Sequence, residues 1–347
     1  MTTHRSVYRM ILPVALVTGL ICSPSWAAPI AGSLVGWGAG PTAVPAGNGF
    51  VAIAAGSAHS LALKSDGSLA GWGYNRDGQT NVPPGNDFVA IAAGWYHSVA
   101  LKSDGSLVGW GRNDEGQTTV PAGNDFVAIA AGFVHGLALK SNGSLIGWGY
   151  NGFGQTTVPA GNDFMAIAAG WHHSLALKSD GSLAGWGYND YGQTDVPAGS
   201  DFVAIAAGNE HSLALRSDGS LAGWGADGYP DYGQAAVPAG NDFVAIAAGF
   251  QHSLALKSDG SLVGWGANLQ GQANPPAGNN FVAIAASGHH GLAIEVPEPA
   301  SLALLAVGLP FLVWRSSRRS VAGELRGGRR IILGVATPRV TLARSHQ

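Results

Sequence analysis

Residues Phe88–Asp125 read FVAIAAGWYHSVALKSDGSLVGWGRNDEGQTTVPAGND, and close copies of that stretch fill most of the chain. The Trp of Gly-Trp-Gly falls at 37, 72, 110, 148, 186, 224 and 265. The His before a Leu-Ala pair or its equivalent falls at 59, 97, 135, 173, 211, 252 and 290. Both series count seven, with most steps of 38 residues and one of 41. A repeat of this length means one array rather than several unrelated domains. The apolar runs inside each unit last four to seven residues and end at Gly, Asp-Gly or Pro-Ala-Gly, so they read as strands and are too short for helices. The pattern predicts four short strands per unit, the last in Gly-Gln-Thr-Thr-Val-Pro.

Alternation within the strands predicts how units pack. Val51-Ala52-Ile53-Ala54 and His59-Ser60-Leu61-Ala62-Leu63 place large side chains on one face and small ones on the other. Sheets packed on both faces, bulky side against small side, suit radial stacking. The Asp-Gly steps at 66, 104, 180, 218 and 259, with Asn142-Gly143 in the third unit, read as hairpin turns in which the pair takes positive φ. The array begins with a lone Ser33-Leu34-Val35-Gly36-Trp37-Gly38 and ends at Phe281–Glu295, before a Gly-Trp-Gly. The two fragments complement each other, so the expected fold is all-β: a seven-bladed β-propeller closed by pairing of N- and C-terminal strands, with no free sheet edge.

Composition agrees. The 347 residues include 53 Gly, 11 Trp and one Cys, with 46% hydrophobic and 11% charged residues. These values exclude a helical bundle, collagen and general disorder.

Both ends differ from the array. Residues 1–28 read as a signal peptide: Arg5 and Arg9, the apolar run Met10–Ile21, then Ser25-Trp26-Ala27 before cleavage after Ala27 or Ala28. Removal of that segment takes Cys22 with it and leaves no thiol for disulfides, nucleophilic catalysis or metal binding. At the other end Pro297-Glu298-Pro299 is followed by the uncharged run Leu302–Trp314 and then Arg315, Arg318 and Arg319. An extended spacer, a short membrane segment and a cationic stop in that order resemble the PEP-CTERM sorting signal of Gram-negative bacteria. The resemblance implies an exosortase as processing partner and transient inner-membrane anchoring before release to the cell surface or matrix. The signal spans 296–319, and 320–347 forms a basic tail with five more Arg. Residues 29–295, the propeller, hold 8 Lys or Arg against 19 Asp or Glu, a balance of −11. So acidic a body lacks the basic stripe that nucleic acid requires.

The consensus Ala-Ala-Gly-x-x-His-Ser-Leu-Ala-Leu-Lys, followed by Gly-x-Leu-x-x-Trp-Gly-x-Asn-x-x-Gly-Gln, resembles the repeat of the regulator of chromosome condensation family over about residues 30–295. Its short units and Gly-Gln-Thr-x-Val-Pro segments are most similar to the secreted bacterial branch that inhibits β-lactamases. The eukaryotic role in nucleotide exchange and chromatin contact does not transfer to an exported acidic chain.

Function must come from residues, not fold. Two loops vary between units, the pair before His and the segment after Gly-Trp-Gly, and both fall on one rim of the propeller. That rim collects Tyr74, Trp95, Tyr96, Arg112, Phe133, Tyr150, Phe153, Trp171, His172, Tyr188, Tyr191, Tyr229, Tyr232 and Phe250. Large amphipathic side chains on rigid loops suit recognition. The 41-residue unit enlarges the same rim through Asp227–Tyr232. The seven repeated His are too redundant to be catalytic and read as structural polar contacts within blades. The repeated Trp read as blade packing, and the turn carboxylates as turn formers. No Gly-x-Ser-x-Gly, His-Glu-x-x-His or phosphate loop occurs, and the loop Asn113-Asp114-Glu115 lacks the spaced ligands of an EF-hand. The resulting expectation is an exported, monomeric, non-catalytic binding protein without cofactor or metal, whose rim takes an extracellular protein or polysaccharide. The alternative is a matrix-polysaccharide hydrolase or lyase using a carboxylate pair, Asp227 with Asp231 or Asp190 with Glu210.

Overall fold

The computed structural model describes residues 30–226 and 231–297. The expected signal peptide, the basic tail, the sorting-signal residues Glu298, Pro299, Arg315, Arg318 and Arg319, and rim residues Asp227 and Tyr229 lie outside those ranges.

Seven antiparallel sheets of three strands each follow one another. In the first complete unit the inner strand is Phe50–Ala55, the middle strand His59–Lys64 and the outer strand Leu69–Gly73. The seventh sheet draws on both ends: Phe281–Ser287 and His290–Glu295 are joined by Ser33–Gly38, with Ser33 opposite Glu295 and Gly38 opposite His290.

Four strands per unit is corrected to three. Gly-Gln-Thr-x-Val-Pro forms no strand, because its polar groups are spent on turns and on the neighbouring sheet. Gln79 is fully buried, its Oε1 accepts from Asp77 N at 3.0 Å, and Val82 N turns back to Thr80 O at 2.9 Å. The outer strand needs Gly71 because a Cβ there would press on the Thr80 carbonyl.

The predicted alternation becomes the packing between sheets. Leu61 and Leu63 of the first sheet meet Phe88, Ile91 and Ala100 of the second. The same arrangement joins last to first, where Leu292 and Ile294 meet Phe50, Ile53 and Ala62. Each buried Leu or Ile contributes about 1.5–3 kcal/mol.

Polar contacts then latch each sheet to the next, which corrects the within-blade reading of the His. His59 Nε2 lies 3.0 Å from Ser98 Oγ of the following sheet, and that hydroxyl donates to Gln79 O at 2.9 Å. With its proton so committed, Ser98 accepts from the His59 Nε2–H, which fixes the neutral tautomer. The repeated Trp do more than pack, since Trp110 Nε1 also donates to Gln79 O at 2.9 Å. Gly94 is required beside this latch because a Cβ would overlap its own sheet's His97 ring. Two links are missing. The positions facing His97 and His252 are Gly136 and Gly291, whose missing side-chain space is occupied by the Trp148 and Trp37 indoles, and both His97 and His252 have unpartnered Nε2 atoms.

The Asp-Gly turns form as expected with one correction: only the glycine takes positive φ, 81° at Gly67. Asp66 instead accepts from Ser68 N and Ser68 Oγ at 2.9 and 2.7 Å. These bonds hold the exposed carboxyl below its usual range.

Candidate functional site

Antiparallel pairing puts the two variable loops at the same end of every sheet. Tyr74 N donates to Ala58 O at 2.8 Å, Arg112 N to Tyr96 O at 3.0 Å and Tyr188 N to His172 O at 2.9 Å. Each bond ties the segment after Gly-Trp-Gly to the pair before His. The constant turns occupy the other end. Five ion pairs of the Lys102–Asp87 kind, at 2.8–3.5 Å, lie there.

On the variable rim the aromatic side chains meet as a continuous network. Trp95 and Phe133 have ring centroids 4.2 Å apart, Trp95 and Trp171 5.7 Å, and Phe133 and Trp171 5.5 Å. Phe250 reaches across to Trp95 and Trp171, 6.0 Å from each. Outward, Tyr96 links Trp95 to Tyr74, and His172 stacks on Trp171 at 5.1 Å while touching Phe133, Tyr150 and Phe153. Phe153 continues to Tyr188 at 5.0 Å, and Tyr188 to Tyr191 at 5.9 Å. Arg112 is held 2.6 Å from Asp114 and lies over the Tyr96 ring, 5.8 Å from its centroid.

The network brings together most of the predicted rim residues. Tyr232 is exposed and makes no ring contact among the described residues. The rim is therefore lopsided: sheets one to four carry nearly all its rings, while sheets five to seven present Asn209, Glu210, Gln251, Gly288 and His289.

The residue after Ala-Ala-Gly, or after Ala-Ala-Ser in the seventh sheet, lines the axial cavity in every sheet. Trp95, Phe133, Trp171 and Phe250, with Ser57, Asn209 and Gly288, surround an axial cavity of about 80 Å³ whose walls are Ala and Gly. Ser57, Asn209 and Gly288 escape a reading that follows aromatic residues alone. Aligning the units on Ala-Ala-Gly would have found them.

Burial lowers the half-buried His172, so it is neutral near pH 7. Burial raises the Glu210 carboxyl. Desolvation, then the adjacent Asp190 carboxylate, pushes Tyr188 up to about 12. Of the proposed carboxylate pairs, Asp190 keeps company with Tyr188 and Glu210 stands in another sheet's loop, while Asp231 accepts from Gly233 N at 2.8 Å. Among the described residues no three His, Cys, Asp or Glu gather as a metal site, and no helix is long and apolar enough to cross a membrane.

Seven three-stranded sheets around an axial cavity define a β-propeller. The regulator of chromosome condensation (RCC1) repeat matches residues 50–79, 88–117, 126–155, 166–193, 202–234 and 243–272, and the chain belongs to that family. The PEP-CTERM protein-sorting motif matches residues 295–319 and marks an exported, exosortase-processed protein of Gram-negative bacteria. No curated protein matches the chain. Among solved structures it is similar to Prp20p of Saccharomyces cerevisiae, at 21% identity over 81% of this chain and 94% of that one, with a TM-score of 0.67. Human WBSCR16 matches at 19% identity over 71% and 86%, with a TM-score of 0.60. The ectodomain of the Arabidopsis thaliana receptor kinase ACR4 matches at 22% over 68% and 88%, with a TM-score of 0.55. These likenesses concern the fold.

Proposed function

We propose that the chain is an exported, non-catalytic recognition propeller that binds an extracellular macromolecule, protein or polysaccharide, through the aromatic rim of sheets one to four. The observation that carries this reading is the uninterrupted ring network from Tyr74 to Tyr191. It holds large amphipathic side chains in place before any ligand arrives, which lowers the entropy cost of binding.

Strand polarity places both ends of the described propeller on the turn rim. Ser33 and Glu295 pair at the turn rim, so the propeller is entered and left there, opposite the aromatic rim. The sorting motif begins at residue 295, the last residue of the final strand. Prp20p binds Gsp1p and histones, and neither partner is carried over to an exported acidic chain.

Affinity capture from the native culture with the exported protein tests the proposal. The wild type retains a partner that the Trp95→Ala/Tyr96→Ala/Trp171→Ala variant does not, whereas an Asp66→Ala/Asp180→Ala variant of the turn rim captures normally. Equal capture by all three overturns the rim assignment.

A further inference from the structure

The axial mouth holds two polar atoms that the fold leaves unsatisfied. The Trp171 indole Nε1, a donor, and the Asn209 Oδ1, an acceptor, are both buried without a hydrogen-bond partner. Asn209 is only 7% exposed. Both residues line the axial cavity, and they stand on adjoining loops, Trp171 N donating to Gly208 O at 3.2 Å. Leaving a buried donor or acceptor unpaired is costly. The repeat does not demand them, because the equivalent positions elsewhere are Ser57, Trp95, Phe133, Phe250 and Gly288.

A donor and an acceptor on adjoining loops complement a secondary amide, whose carbonyl takes the indole N–H and whose N–H meets the carboxamide oxygen. A cavity of about 80 Å³ admits an acetamido group. Its wall carries no Lys, Arg, Asp or Glu, so an ionised group would be desolvated without a counter-charge. The rings of Trp95, Phe133 and Phe250 receive a methyl group instead.

We infer that the axial mouth binds an N-acetylated amino sugar of an extracellular polysaccharide, its acetamido group seated between Trp171 and Asn209. This deepens, and rests on, the rim reading above. An acetamido group ends in a methyl and brings one amide, matched by the two orphan atoms. A peptide would carry further backbone N–H and C=O groups into walls that offer them no partner. The sugar ring stays outside, its C–H face against the rings around Tyr96 and His172. Trp95 stands beside Trp171, ring centroids 5.7 Å apart, and no hydrogen bond anchors its indole among the described residues.

The test uses the exported protein with isotope-labelled indoles, titrated with triacetylchitotriose and with cellotriose, which has the same backbone without acetamido groups. The Trp171 resonance, assigned by its loss in Trp171→Phe, moves with triacetylchitotriose and stays with cellotriose. Trp171→Phe keeps a ring and loses the donor, Asn209→Leu loses the acceptor, and each weakens triacetylchitotriose at least about tenfold without lowering the melting temperature. The inference is overturned by no shift at millimolar triacetylchitotriose, by an equal response to cellotriose, or by unchanged affinity in both variants. A shift with N-acetylglutamine amide but none with triacetylchitotriose gives the mouth to a peptide and overturns it too. The rim reading fails separately: it survives a failed sugar titration if the rim triple variant still loses its captured partner.

Discussion

Trp37, near the start of the propeller, donates its indole Nε1 to the main-chain oxygen of Gln272, 235 residues further along, at 3.0 Å. The same bond links Trp72 to Pro41 and Trp110 to Gln79 between sheets that are neighbours in sequence. The two ends of the array are thus held by the latch that holds every other junction, together with Ser60 Oγ lying 3.0 Å from His290 Nε2.

Trp37→Phe keeps the ring and removes that bond, which costs about 1 kcal/mol of stability. Deleting the chain through Gly38 does far more, because it exposes the edge of His290–Glu295 that Ser33–Gly38 now covers. Chemical denaturation measures the first, and sedimentation detects self-association in the second. A truncated chain as monomeric and stable as the wild type would refute this role for the strand.

The His–Ser latch is sensitive to local chemistry. Ser98→Ala removes a partner from both His59 and Gln79 O and costs about 1–3 kcal/mol. Inserting the same serine where it is missing gives no repair: in Gly136→Ser the new Cβ overlaps the Trp148 indole, so the melting temperature falls.

Acid unfolds the propeller through its buried histidines. Desolvation lowers His59, His135, His173 and His252 to about 3, and His97, His211 and His290 to about 4. Unfolded, each titrates near 6.5. Between those limits the unfolded chain binds more protons, so stability is full above pH 6.5 and falls as pH drops towards 4. The slope is roughly 1.4 kcal/mol per pH unit for each histidine. The turn aspartates, also lowered, add loss of the same sign at still lower pH. Urea midpoints at pH 7.5 and 5.5 check this, and equal midpoints would contradict it.

Processing at the sorting motif leaves the propeller whole, since Val296 N still bonds Asn280 O at 3.0 Å, just before Pro297. Mass spectrometry of the native protein should find a C-terminus close to Pro297-Glu298-Pro299. A chain ending at Gln347 would show that the basic tail prevents cleavage.

Strand positions were legible because turn residues punctuate every unit, as at Asp66-Gly67. The Gln-Thr-x-Val segment misled because Thr and Val suit strands locally, whereas buried Gln79 and its carbonyl are claimed by the next sheet. Such a claim crosses between units, so the pattern inside one unit does not show which sheet the recurring Gln serves. Internal comparison located the aromatic rim, but the orphaned Asn209 oxygen depends on which rings surround the axis. Only three-dimensional packing decides that.

The most direct measurement is the affinity of the captured partner for the wild type and for the Trp95→Ala/Tyr96→Ala/Trp171→Ala variant at matched fold. Loss of at least about 100-fold is predicted, as for clustered aromatic hot spots, with the Asp66→Ala/Asp180→Ala variant unchanged. Undiminished affinity in the triple variant would contradict recognition through the aromatic rim.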